Sequence, residues 1–316
     1  MAKCVVTGAA GFIGSRLVDE LLTRDHKVVG IDNFLQKWPS STGVPPALSD
    51  AAGNGQFEFF DMNIRDPRLR LAVADSDLIF HLAGRPGVTA SWHPPFDDYA
   101  LDNVAGTQCV LDAAAHGGIP RVVLASSSSV YRGDENGTTE VAPRSPYGLS
   151  KLASERLAQL YAERFGITAV ALRYFTVFGP GQRNDMAFHR LINAALLDSV
   201  FTLDGDGQQQ RDFTYVADVV DATISAGFAP SPGSTYDIGQ GKPHTLNSVI
   251  EFISEYLRVH IDIERNPEGD SGTEITRAST DAAAGDLGWT ASTTLEFGLI
   301  RQIAHQEAEL QALSLA

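Results

Sequence analysis

The feature that most constrains this sequence is a glycine-rich turn between its first predicted strand and its first predicted helix. Lys3–Thr7 is a short apolar run that leads directly into Gly8, Gly11 and Gly14. The GxxGxxG spacing is typical of a dinucleotide site: Gly8 permits the tight turn, Gly11 lets a pyrophosphate approach the backbone, and Gly14 allows close packing of helix on strand. The helix N-terminus then offers free N–H groups to phosphates. A lone glycine triplet also fits an ordinary turn, so its context matters.

The second predicted strand ends in a carboxylate that supplies this context. Asp32 closes the apolar run Lys27–Asp32, 18 residues after Gly14. A carboxylate at this place binds both hydroxyls of a ribose and repels a 2′-phosphate. The sequence therefore predicts NAD rather than NADP as the cofactor, the alternative being that Asp32 is a plain turn residue.

Short apolar segments alternate with helical patterns through the first 175 residues. The predicted strands are Lys3–Thr7, Lys27–Asp32, Phe57–Phe60, Leu78–Leu82, Arg121–Ser126 and Ile167–Arg173. The predicted helices cover residues 12–24, 67–74, 97–116 and 148–165. Near-continuous apolar strands with helical crossovers indicate a parallel sheet that helices cover on both faces. We therefore predict an α/β fold with a Rossmann-like, doubly wound parallel sheet.

The regular alternation fades after about residue 175, where segments rich in Gly and Pro separate the helical patterns. These later helices are predicted at 185–198, 216–228, 246–258 and 294–312. They indicate a smaller C-terminal α+β lobe built against the first sheet. We expect a division in which residues 1–175 form the NAD-binding domain, 212–235 return to it, and 176–211 and 236–316 form the substrate lobe.

Composition narrows the class of protein. The net charge is −15, from 24 basic and 39 acidic residues, and such a chain repels polyanions, so we expect no nucleic-acid partner. No apolar run approaches the roughly 20 residues of a membrane span, and a strand starts almost at once, so we expect neither a membrane anchor nor a signal peptide. Two cysteines exclude a disulfide framework and a zinc site and fit a reducing cytoplasm. The histidines lack metal-ligand spacing, so no metal is expected.

A tyrosine and a lysine stand one helical turn apart where the fourth predicted helix opens. Tyr147 and Lys151 are four positions apart just after Pro146, so their side chains share one helix face. A lysine ammonium near a phenol lowers the pKa of the phenol and makes it a base near neutral pH. The fifth predicted strand ends in Ser126–Ser129, at the sheet edge where ligands bind in doubly wound folds. One or two of these hydroxyls also fit a role as turn caps.

The ordered series of motifs carries a resemblance to a known family. The motifs are TGAAGFIGS at 7–15, Asp32, HLAG at 81–84, NVAGT at 103–107, SSSSVY at 126–131 and YGLSK at 147–151. Over essentially the whole chain, the sequence resembles the extended short-chain dehydrogenase/reductase family of nucleotide-sugar epimerases and dehydratases. The resemblance implies NAD as cofactor, a UDP- or TDP-linked sugar bound in the C-terminal lobe, and a homodimer that pairs through helices 97–116 and 148–165.

The resemblance also implies roles for individual residues. Tyr147 would be the general base, Lys151 would lower its pKa and bind the nicotinamide ribose, and Ser127 would hydrogen-bond the reacting sugar oxygen. The implied cofactor-binding set is Gly8, Gly11, Phe12, Ile13, Gly14, Asp32, Asn33, Asp61, Met62, Leu82, Ala83, Gly84, Asn103, Lys151 and Phe175. The implied substrate-binding set is Ser128, Ser129, Tyr147, Thr176, Arg183, Arg211 and Arg277.

Four of these residues receive specific contacts from the resemblance. Asp61 and Met62 would contact the adenine, and Phe175 would approach the nicotinamide. Arg211, in the family-like string RDFTY, would bind the diphosphate of the nucleotide sugar.

Three positions depart from the family pattern. The glycine expected after the string VY is Arg132, which is either solvated or reaches the substrate. The aromatic residue that would stack on the base, seven positions before the diphosphate arginine, is Asp204. An arginine common in an RPGD-like segment is replaced by Ser271, which leaves Arg265 or Arg277 as a diphosphate partner. Whether the base is uridine or thymidine therefore stays open.

Residues around the serine cluster indicate which reaction the resemblance implies. Sugar 4,6-dehydratases of this family typically have Asp and Glu where this chain has Ser128 and Ser129. Related decarboxylases usually keep a Glu at Ser129 and an Asn near Thr176. Residues 173–186, the SSSSVY string and residues 86–88 look most like the UDP-glucuronate 4-epimerase branch, which is our first prediction.

The chemistry of that substrate makes the outcome depend on how its carboxylate is held. Oxidation of C4 gives a 4-keto sugar with a carboxylate on C5, and such a β-keto acid loses CO2 readily. Hydroxyls of Ser128, Ser129 and Thr176, together with Arg183, could hold the carboxylate out of alignment with the carbonyl. A decarboxylase needs the opposite arrangement, and the difference is a few hydrogen bonds of about 1–3 kcal/mol each. UDP-glucuronate decarboxylase is therefore the alternative.

A non-catalytic NAD-binding scaffold is a more distant alternative. The presence of both Tyr147 and Lys151 argues against it, since a scaffold would be expected to lose one of them.

Some candidate residues also have an ordinary structural explanation. His81 ends a buried strand, so we expect a hydrogen-bonded structural histidine rather than a catalytic one. Trp38 and Trp92 are predicted in loops, where they either cover the sugar or pack on the surface. The segment Asn33–Gln56 is rich in Pro, Gly and Ser and is predicted to be a surface loop.

Overall fold

A computed structural model describes residues 1–33, 45–93, 96–133, 140–230, 232–267 and 275–315. Within these ranges the strands are β1 Lys3–Thr7, β2 Lys27–Asp32, β3 Phe57–Asp61, β4 Leu78–His81, β5 Arg121–Ser127, β6 Thr168–Tyr174, β7 Val177–Phe178, β8 Phe201–Asp204, β9 Gln210–Asp212, β10 Thr214–Tyr215, β11 Thr235–Ile238, β12 Pro243–Thr245 and β13 Ile263–Asn266.

The α-helices in the same ranges are α1 Phe12–Thr23, α2 Leu69–Ala72, α3 Phe96–Tyr99, α4 Gly106–Gly117, α5 Pro146–Phe165, α6 Ala187–Leu196, α7 Val216–Phe228, α8 Leu246–Leu257, α9 Asp281–Leu287 and α10 Leu295–Leu315. A π-helical segment, Ala100–Ala105, joins α3 to α4. Short 3₁₀ helices lie at Pro46–Leu48, Thr89–Trp92 and Ser128–Val130. A search of the described helices found no segment with the length and hydropathy of a membrane span.

Seven parallel strands form the central sheet, in the order β11-β6-β5-β4-β1-β2-β3. All six predicted strands are present in it, and the doubly wound parallel sheet is confirmed. The sequence analysis missed β11, which pairs with β6 at the sheet edge. This four-residue strand contains Asp237, and its brief polar-interrupted pattern gives little periodicity to detect. The return of the chain to this sheet therefore extends through Ile238.

Alternating side chains of the strands build a core on each face of the sheet, since successive residues of a strand point to opposite sides. On β1, Cys4 and Val6 belong to the cluster under α1 and α7, whereas Val5 belongs to the cluster under α4 and α5. The aliphatic residues Leu17 and Leu21 anchor α1 on the first face. This packing fixes the carboxyl ends of the strands as one rigid edge.

A third core holds the C-terminal lobe together. It combines residues of α6, α8 and α10 with aromatic residues that follow the sheet, and its members include Phe178, Phe188, Leu191, Val249 and Leu299. Phe178 of β7 and Tyr215 of β10, whose strands pair in parallel, contact each other in this core and connect it to the strands that follow the central sheet. The division of the chain into two domains stays a prediction.

A buried ion pair joins α5 to β6. The Arg173 guanidinium donates two hydrogen bonds to the Glu155 carboxylate, at 2.9 and 2.7 Å, and Glu155 is only 2% exposed. The Ser126 hydroxyl donates a third hydrogen bond to Glu155 at 2.5 Å. Because this carboxylate is satisfied by three donors from β5 and β6, the helix has one well-defined position over the strands.

The same arginine starts a chain of hydrogen bonds that reaches the C-terminal lobe. Arg173 donates to the Tyr131 hydroxyl at 2.6 Å, and Tyr131 donates to Asp237 at 2.7 Å. The other Asp237 oxygen accepts from the Ser279 amide at 3.0 Å. The chain thus links the end of the serine cluster to β11 and to the segment that precedes α9.

We expect the removal of one partner of the buried pair to cost far more stability than the removal of one partner of an exposed pair, because it leaves an uncompensated buried charge. Glu155→Gln preserves the shape of the side chain but leaves the Arg173 guanidinium without its charge partner, so the free energy of unfolding should fall by about 3 kcal/mol in urea denaturation. The matched control is Glu20→Gln, which breaks the half-exposed pair with Arg24 and should cost about 0.5 kcal/mol. Equal losses in the two variants would contradict this role of the buried pair.

Candidate active site

The predicted site residues converge at the carboxyl edge of the central sheet. The glycine turn follows β1, Asp32 ends β2, Asp61 ends β3, residues 82–84 follow β4, and Ser127 ends β5. Ligands of open α/β sheets bind at this edge because the loops there diverge and leave a crevice. The arrangement brings together most residues that the sequence assigned to a cofactor.

The turn after β1 leaves no room for side chains. Gly8 has a φ of +71°, and a Cβ there would lie 2.7 Å from the Ala83 nitrogen. A Cβ at Gly14 would collide with the Gly8 carbonyl oxygen. Helix α1 begins after Gly11, and no side chain of the described residues caps it. The turn therefore presents backbone N–H groups and a positive helix end to whatever binds above it.

The acidic residues at the ends of β2 and β3 lie beside this turn. A carboxylate oxygen of Asp32 accepts a hydrogen bond from the Ala10 amide at 3.0 Å. The Met62 amide donates to the Asp32 carbonyl at 2.9 Å, which places Asp61 and Met62 next to it. Asn33, Asp61 and the partly exposed Asp32 border the crevice, whereas Met62 is buried.

His81 is a structural residue, as the sequence predicted. Its ring lies between the hydroxyls of Thr7 and Thr107, with N–O distances of 2.7 Å at Nδ1 and 3.0 Å at Nε2. Burial, together with the positive charge of Lys151, lowers the pKa of His81 to about 3. The imidazole is therefore neutral and ties β1 and β4 to α4.

Asn103 organises the floor of the crevice. Its amide nitrogen donates to the Ser150 hydroxyl at 2.8 Å, and its amide oxygen accepts from the Arg85 amide at 2.7 Å. A Cβ at Gly84 would lie 2.8 Å from this oxygen and 3.4 Å from the Lys151 Nζ atom, so only glycine lets the three groups meet. The predicted helix 97–116 is interrupted here by the π-helical segment that contains Asn103.

Helix α5 delivers the tyrosine and the lysine to this floor. It starts at Pro146, and the Ser145 hydroxyl caps it by accepting from the Gly148 amide at 3.0 Å. The Lys151 ammonium donates to the Ala125 carbonyl of β5 at 2.8 Å. Burial lowers the pKa of Lys151 to about 8, because a charged ammonium loses its water there.

Two groups outside helix α5 act on the phenol of Tyr147. Burial raises its pKa, while the Ser127 hydroxyl and the positive charge of Arg183 lower it. A lowering by Lys151 stays a prediction, and the two further groups are a serine of β5 and an arginine from a distant segment. Their identity could not be derived from the i, i+4 spacing.

The four hydroxyls of the serine cluster have different environments. Ser126 is buried on Glu155 and serves the ion pair. Ser127 caps the 3₁₀ turn that follows, since its hydroxyl accepts from the Ser129 amide at 3.1 Å and also donates to the Ser129 hydroxyl at 3.1 Å. Ser128 and Ser129 are half-buried. Ser126 therefore has a structural role, whereas Ser127, Ser128 and Ser129 stay candidates for contact with the substrate.

The segment after β6 carries three of the predicted site residues. Phe175 is only 1% exposed and packs against Tyr131, with ring centroids 6.2 Å apart, and its approach to the nicotinamide stays a prediction. Thr176 is half-buried beside it, and its carbonyl accepts from the Thr214 amide at 3.0 Å. Arg183 forms a two-point pair with Asp185, at 2.9 and 2.6 Å, and its charge acts on Tyr147.

A buried carboxylate brings the two predicted diphosphate arginines onto neighbouring segments. Asp212 accepts hydrogen bonds from the amides of Gln240, Gly241 and Ala278, at 2.8–2.9 Å. These bonds tie the strand that carries Arg211 to the segment that carries Arg277. Arg211 is half-buried and Arg277 is exposed.

Two of the three departures from the family pattern, Arg132 and Asp204, lie at the surface. Arg132 is exposed and approaches Glu140 at 3.9 Å, in agreement with the solvated alternative. Asp204 is exposed and accepts from Asn266 at 2.9 Å. Trp92 is exposed, whereas Trp38 and Ser271 lie outside the described residues. No group of three or more His, Cys, Asp or Glu in the described ranges is arranged to hold a metal ion.

Sequence reasoning missed Tyr99, which packs behind the tyrosine of α5. Its ring meets Tyr147 edge-on with centroids 6.4 Å apart, and its hydroxyl points at the carbonyls of Pro86 and Gly87. The ring is 1% exposed. A tyrosine in a helix without a local motif gives no signal of such a long-range contact.

Comparisons with known proteins agree with this geometry. A profile of the NAD dependent epimerase/dehydratase family matches residues 4–239. A Bacillus subtilis (strain 168) protein named "Uncharacterized UDP-glucose epimerase YtcB" is 39% identical over 96% of this chain and 97% of its own. The UDP-glucuronate 4-epimerase of Thermodesulfobacterium geofontis (strain OPF15) is 30% identical over 99% and 98%.

A solved structure is also similar to this chain over almost its whole length. The UDP-glucuronic acid 4-epimerase from Bacillus cereus, in complex with UDP-glucuronic acid and NAD, superposes with a TM-score of 0.90 at 35% identity, over 97% of this chain and 99% of that one. The family profile spans well over half of the sequence and includes the glycine turn, the serine cluster and the Tyr–Lys pair. This chain belongs to the NAD-dependent epimerase/dehydratase family.

Proposed function

We propose that the protein is an NAD-dependent UDP-glucuronate 4-epimerase. The observation that carries the proposal is the set of groups that the fold gathers around the start of α5: the turn with Ser128 and Ser129 packs so closely on it that a Cβ at Gly148 would collide with the Ser129 carbonyl oxygen. Arg183 adds a positive charge that lowers the pKa of Tyr147. Hydroxyls and a guanidinium suit a sugar with a carboxylate one carbon beyond the reacting carbon. Related proteins with this name cover almost the whole chain.

The crevice fits a dinucleotide. Gly8 and Gly14 form a cradle that a Cβ would fill, and the uncapped start of α1 offers N–H groups to a pyrophosphate. Asp32 would accept from the adenosine ribose, and Asp61 and Met62 would face the adenine. When bound, NAD supplies an acceptor for the hydride at C4 of the sugar and returns that hydride later.

Tyr147 would take the proton from the C4 hydroxyl and later give it back. Its raised pKa keeps the phenol protonated in the free chain, so the positive charges nearby must stabilise the phenolate when the ligands are bound. Ser127, whose hydroxyl lowers the pKa of the phenol, would share the sugar oxygen. Lys151, fixed by Ala125, would bind the nicotinamide ribose and keep its charge near the phenol.

Four groups would hold the carboxylate on C5. Ser128, Ser129 and Thr176 provide half-buried hydroxyls, and Arg183 provides a planar guanidinium that can bind a carboxylate at two points. In the free chain the Arg183 guanidinium donates to both carboxylate oxygens of Asp185, and a substrate carboxylate would compete with Asp185 for these hydrogen bonds. When the carboxylate is held out of alignment with the C4 carbonyl, it is not lost as CO2, and the 4-keto sugar can turn over before it is reduced. Arg211 and Arg277 would bind the diphosphate.

A second candidate activity is epimerisation of UDP-glucose, because the relative with 39% identity is named a UDP-glucose epimerase. UDP-glucose has a neutral hydroxymethyl group where UDP-glucuronate has a carboxylate. A charged arginine at the reaction centre then has no partner on the sugar. The arrangement of Arg183 therefore favours the glucuronate, and UDP-glucuronate decarboxylase stays the alternative outcome with the same substrate.

We also propose a homodimer that pairs through the helices around 97–116 and 148–165. Leu149, Leu160 and Phe165 of α5 and Leu101 of the π-helical segment are large apolar side chains that are exposed. Covering them with the same face of a second copy would bury a shared apolar surface.

A cytoplasmic location is also part of the proposal. It is supported by the two free cysteines, Cys4 and Cys109.

The glycine cradle makes a test of cofactor binding possible. Gly14→Ala forces the turn apart, so we expect the affinity for NAD to fall at least about tenfold in calorimetric titration. The matched control is Gly285→Ala in α9, where a Cβ meets no atom within 4 Å, and it should bind NAD like the wild type. Binding of UDP by both variants would show that they are folded. Unchanged NAD affinity in Gly14→Ala would contradict the proposed cradle.

The proposed reaction is tested by NMR of UDP-glucuronate with protein and NAD. We expect the signals of the 4-epimer, UDP-galacturonate, to grow until the two epimers reach equilibrium. Tyr147→Phe should lower the rate at least about a thousandfold, because the variant has no group to move the C4 proton. Tyr161→Phe, on the same helix but away from the crevice, is the control. Turnover of UDP-glucose alone would assign the second candidate activity instead.

A further inference from the structure

Helix α10 carries two glutamines that are almost fully buried. Gln302 is 1% exposed and Gln306 is 2% exposed, although both lie in a helix whose other inward residues are aliphatic, such as Leu299 and Ile303. Burying an amide costs free energy unless its donors and acceptors are paired. The partners of the two glutamines therefore indicate what each one holds in place.

Gln302 binds the segment between β7 and α6. Its amide oxygen accepts from the Gly179 amide at 2.9 Å, and its amide nitrogen donates to the Gln182 side chain at 2.9 Å. Gln182, itself buried, donates to the Val177 carbonyl at 3.1 Å and accepts from the His189 amide at 3.2 Å. Both ends of the turn 179–182 are thus fixed from a helix more than 100 residues away.

Helix α1 holds the opposite side of the same turn. The Arg16 guanidinium donates to the Pro180 carbonyl, and a Cβ at Gly181 would lie 3.1 Å from one of its nitrogens. Gly179 and Gly181 have φ values of +139° and +71°, which L side chains rarely adopt. The turn is therefore held between α1 and α10 in a conformation that its two glycines allow.

The residue that follows this clamped turn is Arg183. It directly follows Gln182 in the chain, its guanidinium binds Asp185, and its positive charge acts on Tyr147 and Tyr99. Gln306 donates to the His189 carbonyl at 3.1 Å and to Asn193 at 2.8 Å, both on α6, and accepts from the Gln302 amide nitrogen at 3.3 Å. The two glutamines are similar in burial, but only Gln302 bonds directly to the turn.

We infer that Gln302 is a positioning residue for substrate specificity: by fixing the turn 179–182, it places the Arg183 guanidinium where the carboxylate of a hexuronic acid nucleotide would lie. The inference rests on the proposed function of Arg183 as the carboxylate-binding group. It adds that discrimination between a sugar acid and a neutral sugar depends on a buried amide that never touches the ligand.

The test compares binding of UDP-glucuronate and UDP-glucose to the NAD-loaded protein by calorimetry. Gln302→Met keeps the length of the side chain but removes its hydrogen bonds to Gly179 and Gln182, so the Kd for UDP-glucuronate should rise about tenfold. The Kd for UDP-glucose should change less than about twofold. Gln306→Met loses buried hydrogen bonds of the same kind and should leave the ratio of the two Kd values unchanged.

A double-mutant cycle separates positioning from general destabilisation. In an Arg183→Met background, Gln302→Met should have no further effect on UDP-glucuronate binding, because its route to the ligand has been removed. Additive effects, or an equal loss for both nucleotide sugars, would overturn the inference. If Gln302→Met does not fold, Gln302→Glu, which keeps the acceptor for Gly179, is measured in its place with the same expectation. A wild-type protein that binds both sugars equally would instead contradict the proposed function, and the inference with it.

Discussion

The position of helix α5, which carries Tyr147 and Lys151, depends on one buried ion pair. Glu155 of α5 binds Arg173 of β6 at two points and accepts a third hydrogen bond from Ser126. Glu155 lies one turn beyond Lys151 on the same helix, and Ser126 immediately precedes Ser127. The pair therefore fixes the distance between the helix that carries the phenol and the strand that carries its hydroxyl partner. Such a pair is retained for geometry more than for net stability, since desolvation offsets much of its attraction.

Burial then determines the charge state of the site before any ligand arrives. It raises the pKa of Tyr147 and lowers the pKa of Lys151, and the cause is the same: each charged form loses water. Ser127 and Arg183 oppose this effect at the phenol. Near neutral pH, Lys151, with a pKa of about 8, is therefore mostly charged, and the phenol of Tyr147 is protonated. Arg183 is central because its charge bears on both the base and the proposed carboxylate.

Much of the sheet could be predicted from local pattern, because buried parallel strands are continuous apolar runs with turn residues between them. The predicted bounds of β1 and β2 match the structure, and the glycine turn and the Tyr–Lys pair lie at one edge as expected. The strand β11 could not be predicted, since Asp237 interrupts its short pattern. The assignment of Phe175 to the nicotinamide comes from the family resemblance alone, and the structure adds that this residue is buried against Tyr131.

Contacts between distant segments account for what the sequence did not reveal. Tyr99 against Tyr147, Arg183 near the phenol and Gln302 on Gly179 each join residues that lie tens to more than a hundred positions apart. Periodicity and spacing describe one element at a time, so they cannot show which elements meet. The roles of the serines could be narrowed to the cluster, but only packing separates Ser126, which serves Glu155, from the hydroxyls that face the crevice.

The most direct test of the account is the fate of the C6 carbon of UDP-glucuronate. The substrate, labelled with ¹³C at C6, is incubated with the protein and NAD, and dissolved and gaseous CO2 are analysed alongside the nucleotide sugar. Retention of the label in the carboxylate of the 4-epimer, with no labelled CO2, is the predicted result. Labelled CO2 together with a UDP-pentose would contradict the carboxylate-holding role of Arg183 and its neighbouring hydroxyls, and would assign a decarboxylase.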